Sequence, residues 1–147
     1  MEIPALQGLA LERGLMTMEQ PLSTQDQHKS LRIGVPREIS NEERRVALAP
    51  SGVAALAANG HEVYVESNAG EQAHFSDDLY SDAGGEIVLT PEDLYSKSEL
   101  IIKVGPPVGD ELELVQPKQV LMSALHLGNT TPDFLRHLQQ LGITGIG

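Results

Sequence analysis

Three side chains with complementary chemistry follow three of the strand-like runs of this chain: Arg45, Lys103 and His126. An arginine can hold a carboxylate with two hydrogen bonds, and a lysine can bind an anion as a point charge. Histidine is the usual residue for proton transfer near neutral pH. Together these residue types predict a site for a small substrate that has a carboxylate and a reacting polar centre, such as a carbonyl group.

Each residue also has a simpler interpretation. Arg45 can pair at the surface with Glu42 or Glu43, and for that loop alone the surface pair is the favoured interpretation. Lys103 can cover the core with its stem while its ammonium stays in water, and His126 can be a structural histidine bonded to the backbone. The site hypothesis depends on all three falling at the same edge of one predicted sheet, which requires three loops to converge.

The elements that must position these residues alternate between strand and helix from Leu31 onward. Apolar runs such as "LRIGV" and "ELIIKV" are typical of strands, and "TPEDLYSKS" and "TPDFLRHLQQLG" open as helices with a threonine cap followed by proline. The alternation predicts an α/β domain, a Rossmann-like (flavodoxin-like) parallel sheet in three layers with helices on both faces. In such sheets ligands bind at the carboxyl ends of the strands.

The composition excludes several classes of protein. The 147 residues contain no cysteine, which rules out disulfides, thiolate catalysis and cysteine-rich zinc sites, and no metal site is predicted. The net charge of -11 argues against a nucleic-acid partner. No apolar run is long enough to span a bilayer, and the first residues lack the basic start of a signal peptide. We therefore expect a cytoplasmic protein without a membrane partner.

Residues 1–30 differ from the rest and are predicted to form an N-terminal extension before a domain at residues 31–147. The stretch "PLSTQDQHKS" is polar and typical of a linker. Before it, several leucines are spaced to form one face of a short helix. Two alternatives stay open for this extension: a flexible arm, or an arm that packs on a neighbouring domain or subunit.

The chain from Leu31 onward resembles the start of alanine dehydrogenases and of the related proton-translocating transhydrogenase α subunits. The motifs "GVPRE", "ERRVAL", "GHEVYVE", "AGGEIV", "LIIKVGPP" and "LHL" occur in the order and spacing of that family. The family often has Lys-Glu-Pro where this chain has Gly105, Pro106 and Pro107, so an acidic residue is missing here. Transhydrogenases generally do not keep the histidine of "LHL" in this form, so His126 favours alanine dehydrogenase.

The resemblance implies an NAD-dependent enzyme that interconverts L-alanine with pyruvate and ammonia. It assigns Arg45 and Lys103 to the substrate carboxylate and carbonyl, and His126 with Lys103 to catalysis. It places NAD mainly on a following domain, and no G-x-G-x-x-G fingerprint occurs in these residues, so no cofactor-binding residue is predicted. The chain alone is therefore expected to be inactive. The family tends to form hexamers, so a homo-oligomer is expected.

Two other hypotheses remain. One is a transhydrogenase α subunit or a saccharopine-type dehydrogenase domain, which would lack alanine and pyruvate activity. The other is a non-catalytic ligand-binding or assembly module with the same fold, in which Arg45, Lys103 and His126 would not converge.

Overall fold

Strands and helices alternate along the part of the chain that the computed structural model describes, which is residues 29–40, 42–126, 128 and 130–147. The predicted extension lies outside the described residues except for its last two positions. The strands are β1 (Arg32–Val35), β2 (Glu62–Glu66), β3 (Glu86–Val88), β4 (Leu100–Ile102), β5 (Val120–Met122) and β6 (Thr144–Ile146). The helices are α1 (Pro50–Ala58), α2 (Asp77–Asp82), α3 (Pro91–Lys97), α4 (Glu111–Leu114) and α5 (Pro132–Leu141), with a short 3₁₀ turn at Glu71–Ala73.

The six strands form one parallel sheet in the order β3-β2-β1-β4-β5-β6. The predicted α/β class with a parallel sheet is confirmed. This strand order is that of Rossmann domains. A flavodoxin-like sheet would place β3 beside β1, so of the two predicted forms the Rossmann form is the one present. The order in which the chain adds strands to the sheet reverses between β1 and β4. Ligands of such sheets bind at this switch point.

The core lies on both sides of the sheet, as a three-layer domain requires. On one side Val53 of α1 and Tyr80 of α2 pack with Val35 of β1. On the other side Leu94 and Tyr95 of α3 belong to the second cluster of buried residues. Aliphatic side chains and buried tyrosines fill both halves, consistent with a composition that has no tryptophan.

Helix α3 lies unusually close to the central strand β1 at Gly34. A Cβ atom at this glycine would come within 2.9 Å of Leu94 Cδ2 and would also collide with the hydroxyl of Ser98. The side chains on either side of Gly34 point to the opposite face, because alternate residues of a strand face opposite ways. A larger residue at position 34 would therefore require the side chains of Leu94 and Ser98 to shift.

Two helices begin as the sequence predicts. Thr90 caps α3 by accepting a hydrogen bond from the Asp93 amide at 3.3 Å. Thr131 caps α5 in the same way through the Phe134 amide, also at 3.3 Å. In both cases the threonine satisfies a backbone donor that has no partner within the helix. Helix α5 ends at Gly142, whose positive φ of 66° favours glycine.

Candidate functional site

Lys103 is the first residue after β4, at the carboxyl end of the strand, where the sequence places it. Its backbone amide donates to the carbonyl oxygen of Met122 on β5 at 2.9 Å. The Ala124 amide donates to the Val104 carbonyl oxygen at 3.1 Å, so the pairing continues past the ends of β4 and β5. The loops that follow β4 and β5 are thus held together at the edge where the site was predicted.

The side chain of Lys103 is enclosed, with 1% of its surface exposed. Its Nζ lies 2.5 Å from Glu111 Oε1 and 3.5 Å from Glu38 Oε2. The alternative interpretation, a lysine whose ammonium stays in water, is wrong for this structure. The physical reason is that two buried carboxylates flank the ammonium, and a buried charge is stable only when it is paired.

Glu111 is the first residue of α4 and is itself held by two donors. The Tyr95 hydroxyl donates to Glu111 Oε1 at 3.1 Å, and the Val108 amide lies 3.4 Å from Oε2. Burial, followed by the neighbouring Glu111 carboxylate, raises the pKa of Tyr95, so the hydroxyl keeps its proton and acts as a donor. This partner of Lys103 was missed by the sequence analysis.

Glu38 joins the loop after β1 to the loop after β4. Its Oε1 accepts a hydrogen bond from the Val104 amide at 2.6 Å, while Oε2 faces Lys103. A Cβ atom at Gly105 would lie 3.8 Å from Glu38 Oε2. An acidic group thus reaches the position beside Gly105 from another loop, although the acidic residue that the family often carries there is missing.

A third buried carboxylate, that of Glu66, lies at the end of β2. Its Oε2 accepts a hydrogen bond from the Arg37 amide at 2.9 Å. The Arg37 guanidinium is more distant, with 3.9 Å between Nε and Glu66 Oε1. Burial raises the pKa of Glu66, and the hydrogen bond and charge of Arg37 oppose that rise without cancelling it.

Arg45 is exposed over 76% of its side chain and forms three hydrogen bonds with Glu43, one of them from its backbone amide. Its Nε and Nη2 donate to the two carboxylate oxygens at 2.8 and 2.7 Å. These hydrogen bonds lower the pKa of Glu43 to about 2 and raise the pKa of Arg45. The surface pair with Glu43, which is the favoured interpretation for this loop alone, is therefore present.

Arg45 and Lys103 nevertheless line one cavity of about 530 Å³ at the carboxyl edge of the sheet. Ser123, after β5, lines the same cavity, and its buried hydroxyl has no hydrogen-bond partner among the described residues. A buried polar atom without a partner costs free energy unless something else bonds it. This residue was not identified by the sequence analysis.

His126 lines a second cavity, of about 450 Å³, with the loop prolines Pro106 and Pro107. Its backbone has a positive φ of 46°, and its carbonyl oxygen accepts a hydrogen bond from the Thr130 hydroxyl at 3.0 Å. The structure therefore brings Arg45 and Lys103 to one cavity and His126 to a neighbouring one. Both cavities are walled by the loop after β4 and the loop after β5.

Two further properties of the described residues bear on function. Within them, no group of three or more histidine, cysteine, aspartate or glutamate side chains is arranged to hold a metal ion. None of the helices that the structure describes is both long and apolar enough to cross a membrane.

The fold and the site first define a class: a doubly wound parallel α/β domain that gathers charged side chains at the carboxyl ends of its strands. The sequence matches the family model described as "Alanine dehydrogenase/PNT, N-terminal domain" over residues 34–147. The chain belongs to this family. The resemblance seen in the sequence motifs is thereby confirmed.

Relatives with this domain carry the name alanine dehydrogenase. The chain is 43% identical to the alanine dehydrogenase of Methanococcus maripaludis over 114 residues, which cover 78% of this chain and 30% of that protein. It is 40% identical to the alanine dehydrogenase of Bacillus subtilis over the same length and with the same coverage. The chain thus spans about a third of the length of these relatives.

Solved structures give the same result. An L-alanine dehydrogenase superimposes with a TM-score of 0.76 and 39% identity, covering 80% of this chain and 32% of that one. A transhydrogenase from Sinorhizobium meliloti superimposes with a TM-score of 0.71 and 25% identity, covering 78% of this chain and 32% of that one. The fold is shared by both branches of the family, and the sequence is more similar to the first.

Proposed function

We propose that this chain supplies the substrate side of an NAD-dependent alanine dehydrogenase, which interconverts L-alanine with pyruvate and ammonia. The observation that carries the proposal is that Arg45 and Lys103 line one cavity at the carboxyl edge of the sheet. They do so in a domain that is 40% or more identical to several proteins named alanine dehydrogenase. Arg45 is exposed over 76% of its side chain, and its guanidinium suits the carboxylate of a small acid.

In the proposed reaction Arg45 holds the substrate carboxylate with the two N–H groups that now bond Glu43. Lys103 stabilises negative charge on the carbonyl oxygen as ammonia adds to pyruvate. His126 gives a proton to that oxygen as it leaves as water, and takes the proton back in the opposite direction. Each role requires a cation or proton donor at the place where charge develops.

The residues of this chain do not fit the cofactor. The switch point between β1 and β4 holds the buried pair of Glu38 and Lys103 in place of a glycine-rich turn. With Glu111, two carboxylates and one ammonium give this cluster a net negative charge, which disfavours the pyrophosphate of NAD. We therefore assign NAD binding to a domain other than this one. No redox step is assigned to residues of this chain. A homo-oligomer is part of the same proposal.

The test is a domain exchange with a relative of known name. Residues 34–147 would replace the matching residues of the Methanococcus maripaludis alanine dehydrogenase, and reductive amination of pyruvate would be followed by the loss of NADH absorbance. We expect turnover within about tenfold of the parent enzyme, and none from the 147-residue chain alone. The exchanged enzyme carrying Lys103→Ala should show a raised KM and a lowered kcat together.

A non-catalytic assembly module is the second candidate, because both cations already have carboxylate partners and His126 lines another cavity. A folded exchanged enzyme without alanine or pyruvate activity would favour this candidate. Folding is checked by circular dichroism and by the oligomeric mass of the exchanged protein against the parent.

A further inference from the structure

The two carboxylates beside Lys103 bond it differently. Glu111 Oε1 makes a direct hydrogen bond at 2.5 Å. Glu38 Oε2 lies 3.5 Å from the ammonium, beyond a strong hydrogen bond, while its other oxygen is bonded to the Val104 amide at 2.6 Å. Glu111 is therefore the close partner of Lys103, and Glu38 is the loose one.

Glu111 is fixed from two directions. The Tyr95 hydroxyl on α3 bonds the same Oε1 that bonds Lys103, and the Val108 amide approaches Oε2. Tyr95 is fully buried and Glu111 is nearly so. A carboxylate that is held in this way fixes the position of the ammonium that it bonds, because neither partner is free to change rotamer without leaving a buried polar group unpaired.

Glu38 is about as buried as Glu111, with 8% against 6% of the side chain exposed, and it borders a cavity on the side of Arg45. It lines a cavity of about 250 Å³ together with Glu43 and Arg45, the residues of the exposed pair. With 1% of the Lys103 side chain exposed, a substrate can reach the ammonium only after one partner has moved. The longer contact and the neighbouring cavity identify Glu38 as the partner that moves.

We propose that Glu111 is the positioning residue of Lys103, and that the oxygen of a carboxylic or keto acid replaces Glu38 on the ammonium. This inference rests on the proposed function, since it assumes that Lys103 binds substrate. It assigns opposite roles to two glutamates that both contact one lysine: Glu111 keeps the ammonium in place, and Glu38 occupies the substrate position until substrate arrives.

The opposite roles give opposite effects on binding. Pyruvate would be titrated into the isotope-labelled 147-residue chain, and the dissociation constant would be read from the amide shifts of Val104 and its neighbours. Glu111→Gln should weaken binding about tenfold or more, the size of a lost charged hydrogen bond. Glu38→Gln should strengthen binding by about threefold, because a competing negative charge is removed.

Simple electrostatics predicts a different pattern, in which both variants bind pyruvate more tightly because each removes one negative charge beside the ammonium. That result would overturn the inference, and so would weakening in both variants. Tyr95→Phe removes one hydroxyl and retains the packing. It should weaken binding in the same direction as Glu111→Gln, and by less.

A second measurement does not depend on substrate. The chain would be treated with an amine-acylating reagent, and the modification of Lys103 would be compared by mass spectrometry with that of exposed Lys97 in the same molecule. Glu111→Gln should speed the labelling of Lys103 about tenfold, and Glu38→Gln by clearly less. Equal labelling of the two variants would refute the positioning role. An exchanged enzyme that folds but lacks activity with pyruvate would instead refute the proposed function.

Discussion

Lys103 Nζ and Glu111 Oε1 form a buried ion pair at the carboxyl edge of the sheet, 2.5 Å apart, with about 1% and 6% of their side chains exposed. The pair joins the residue after β4 to the first residue of α4. Buried pairs of this kind contribute little net stability when they are compared with apolar side chains, but removing one partner leaves the other charge unpaired. Stability is therefore sensitive to each member.

Lys103→Met is expected to lower the free energy of unfolding by about 3–5 kcal/mol, because it leaves Glu111 and Glu38 as buried carboxylates without a cation. Urea unfolding measures the change. Lys97→Met is the matched control, since the Lys97–Glu86 pair is exposed and should contribute about 1 kcal/mol or less. Equal losses in the two variants would show that the Lys103 pair is not buried in solution.

Arg45→Gln is expected to lower kcat/KM of the exchanged enzyme for pyruvate by about 10- to 100-fold, the range of a lost charged hydrogen bond. Its effect on unfolding should stay within about 0.5 kcal/mol, because the side chain is exposed. Arg44→Gln, one residue away and also exposed, is the control and should keep normal kinetics. If the two variants have the same kcat/KM, Arg45 pairs only with Glu43 and does not bind the substrate.

His126→Ala is expected to lower kcat by about 10²- to 10⁴-fold, as the loss of an acid–base group usually does. Steady-state rates of the exchanged enzyme with pyruvate, ammonia and NADH check this. His137→Ala on α5 removes another imidazole and should leave kcat near the parental value. A kcat near the parental value in His126→Ala would remove this residue from the mechanism.

Glu66→Gln is expected to raise the free energy of unfolding at pH 7. The pKa of Glu66 is raised in the folded chain, so the folded state binds a proton more tightly than the unfolded state, and wild-type stability rises as pH falls towards the ordinary carboxyl range. Glutamine removes the buried charge and keeps an acceptor for the Arg37 amide. The advantage of the variant should shrink as pH falls through the raised pKa.

Urea unfolding at a series of pH values measures this difference. Glu113→Gln removes the same charge from an exposed position of α4 and should show no such trend. A lower stability of Glu66→Gln at pH 7 would mean that the Glu66 carboxylate is stabilised by Arg37 more than it is penalised by burial.

The alternation of strands and helices could be predicted because each element leaves a local signal. The threonine–proline openings at Thr90 and Thr131 have their effect within three residues, and both caps are found where expected. The strand predicted from "ELIIKV" is longer than β4, which ends at Ile102. Strand order could not be predicted, because it depends on contacts between distant residues.

The places of Lys103 and Arg45 in the fold could be predicted, but their hydrogen-bond and ion-pair partners could not. Lys103 lies at the strand end that the apolar run indicates, and Arg45 shares its cavity. The contact between Glu38 and Val104 spans 66 residues of sequence and leaves no local pattern. Glu111, eight residues after Lys103, had a weak signal as the first residue of a short acidic helix. A lysine at the end of an apolar run was reason to look for an acidic partner.

The close approach of α3 to β1 at Gly34 also bears on the site around Lys103. Helix α3 carries Tyr95, whose hydroxyl bonds the carboxylate that fixes Lys103. A Cβ atom at Gly34 would collide with the side chains of Leu94, which precedes Tyr95 on this helix, and of Ser98. A substitution at Gly34 therefore forces side chains around α3 to shift, so a change in the core acts on the helix that carries a partner of the site.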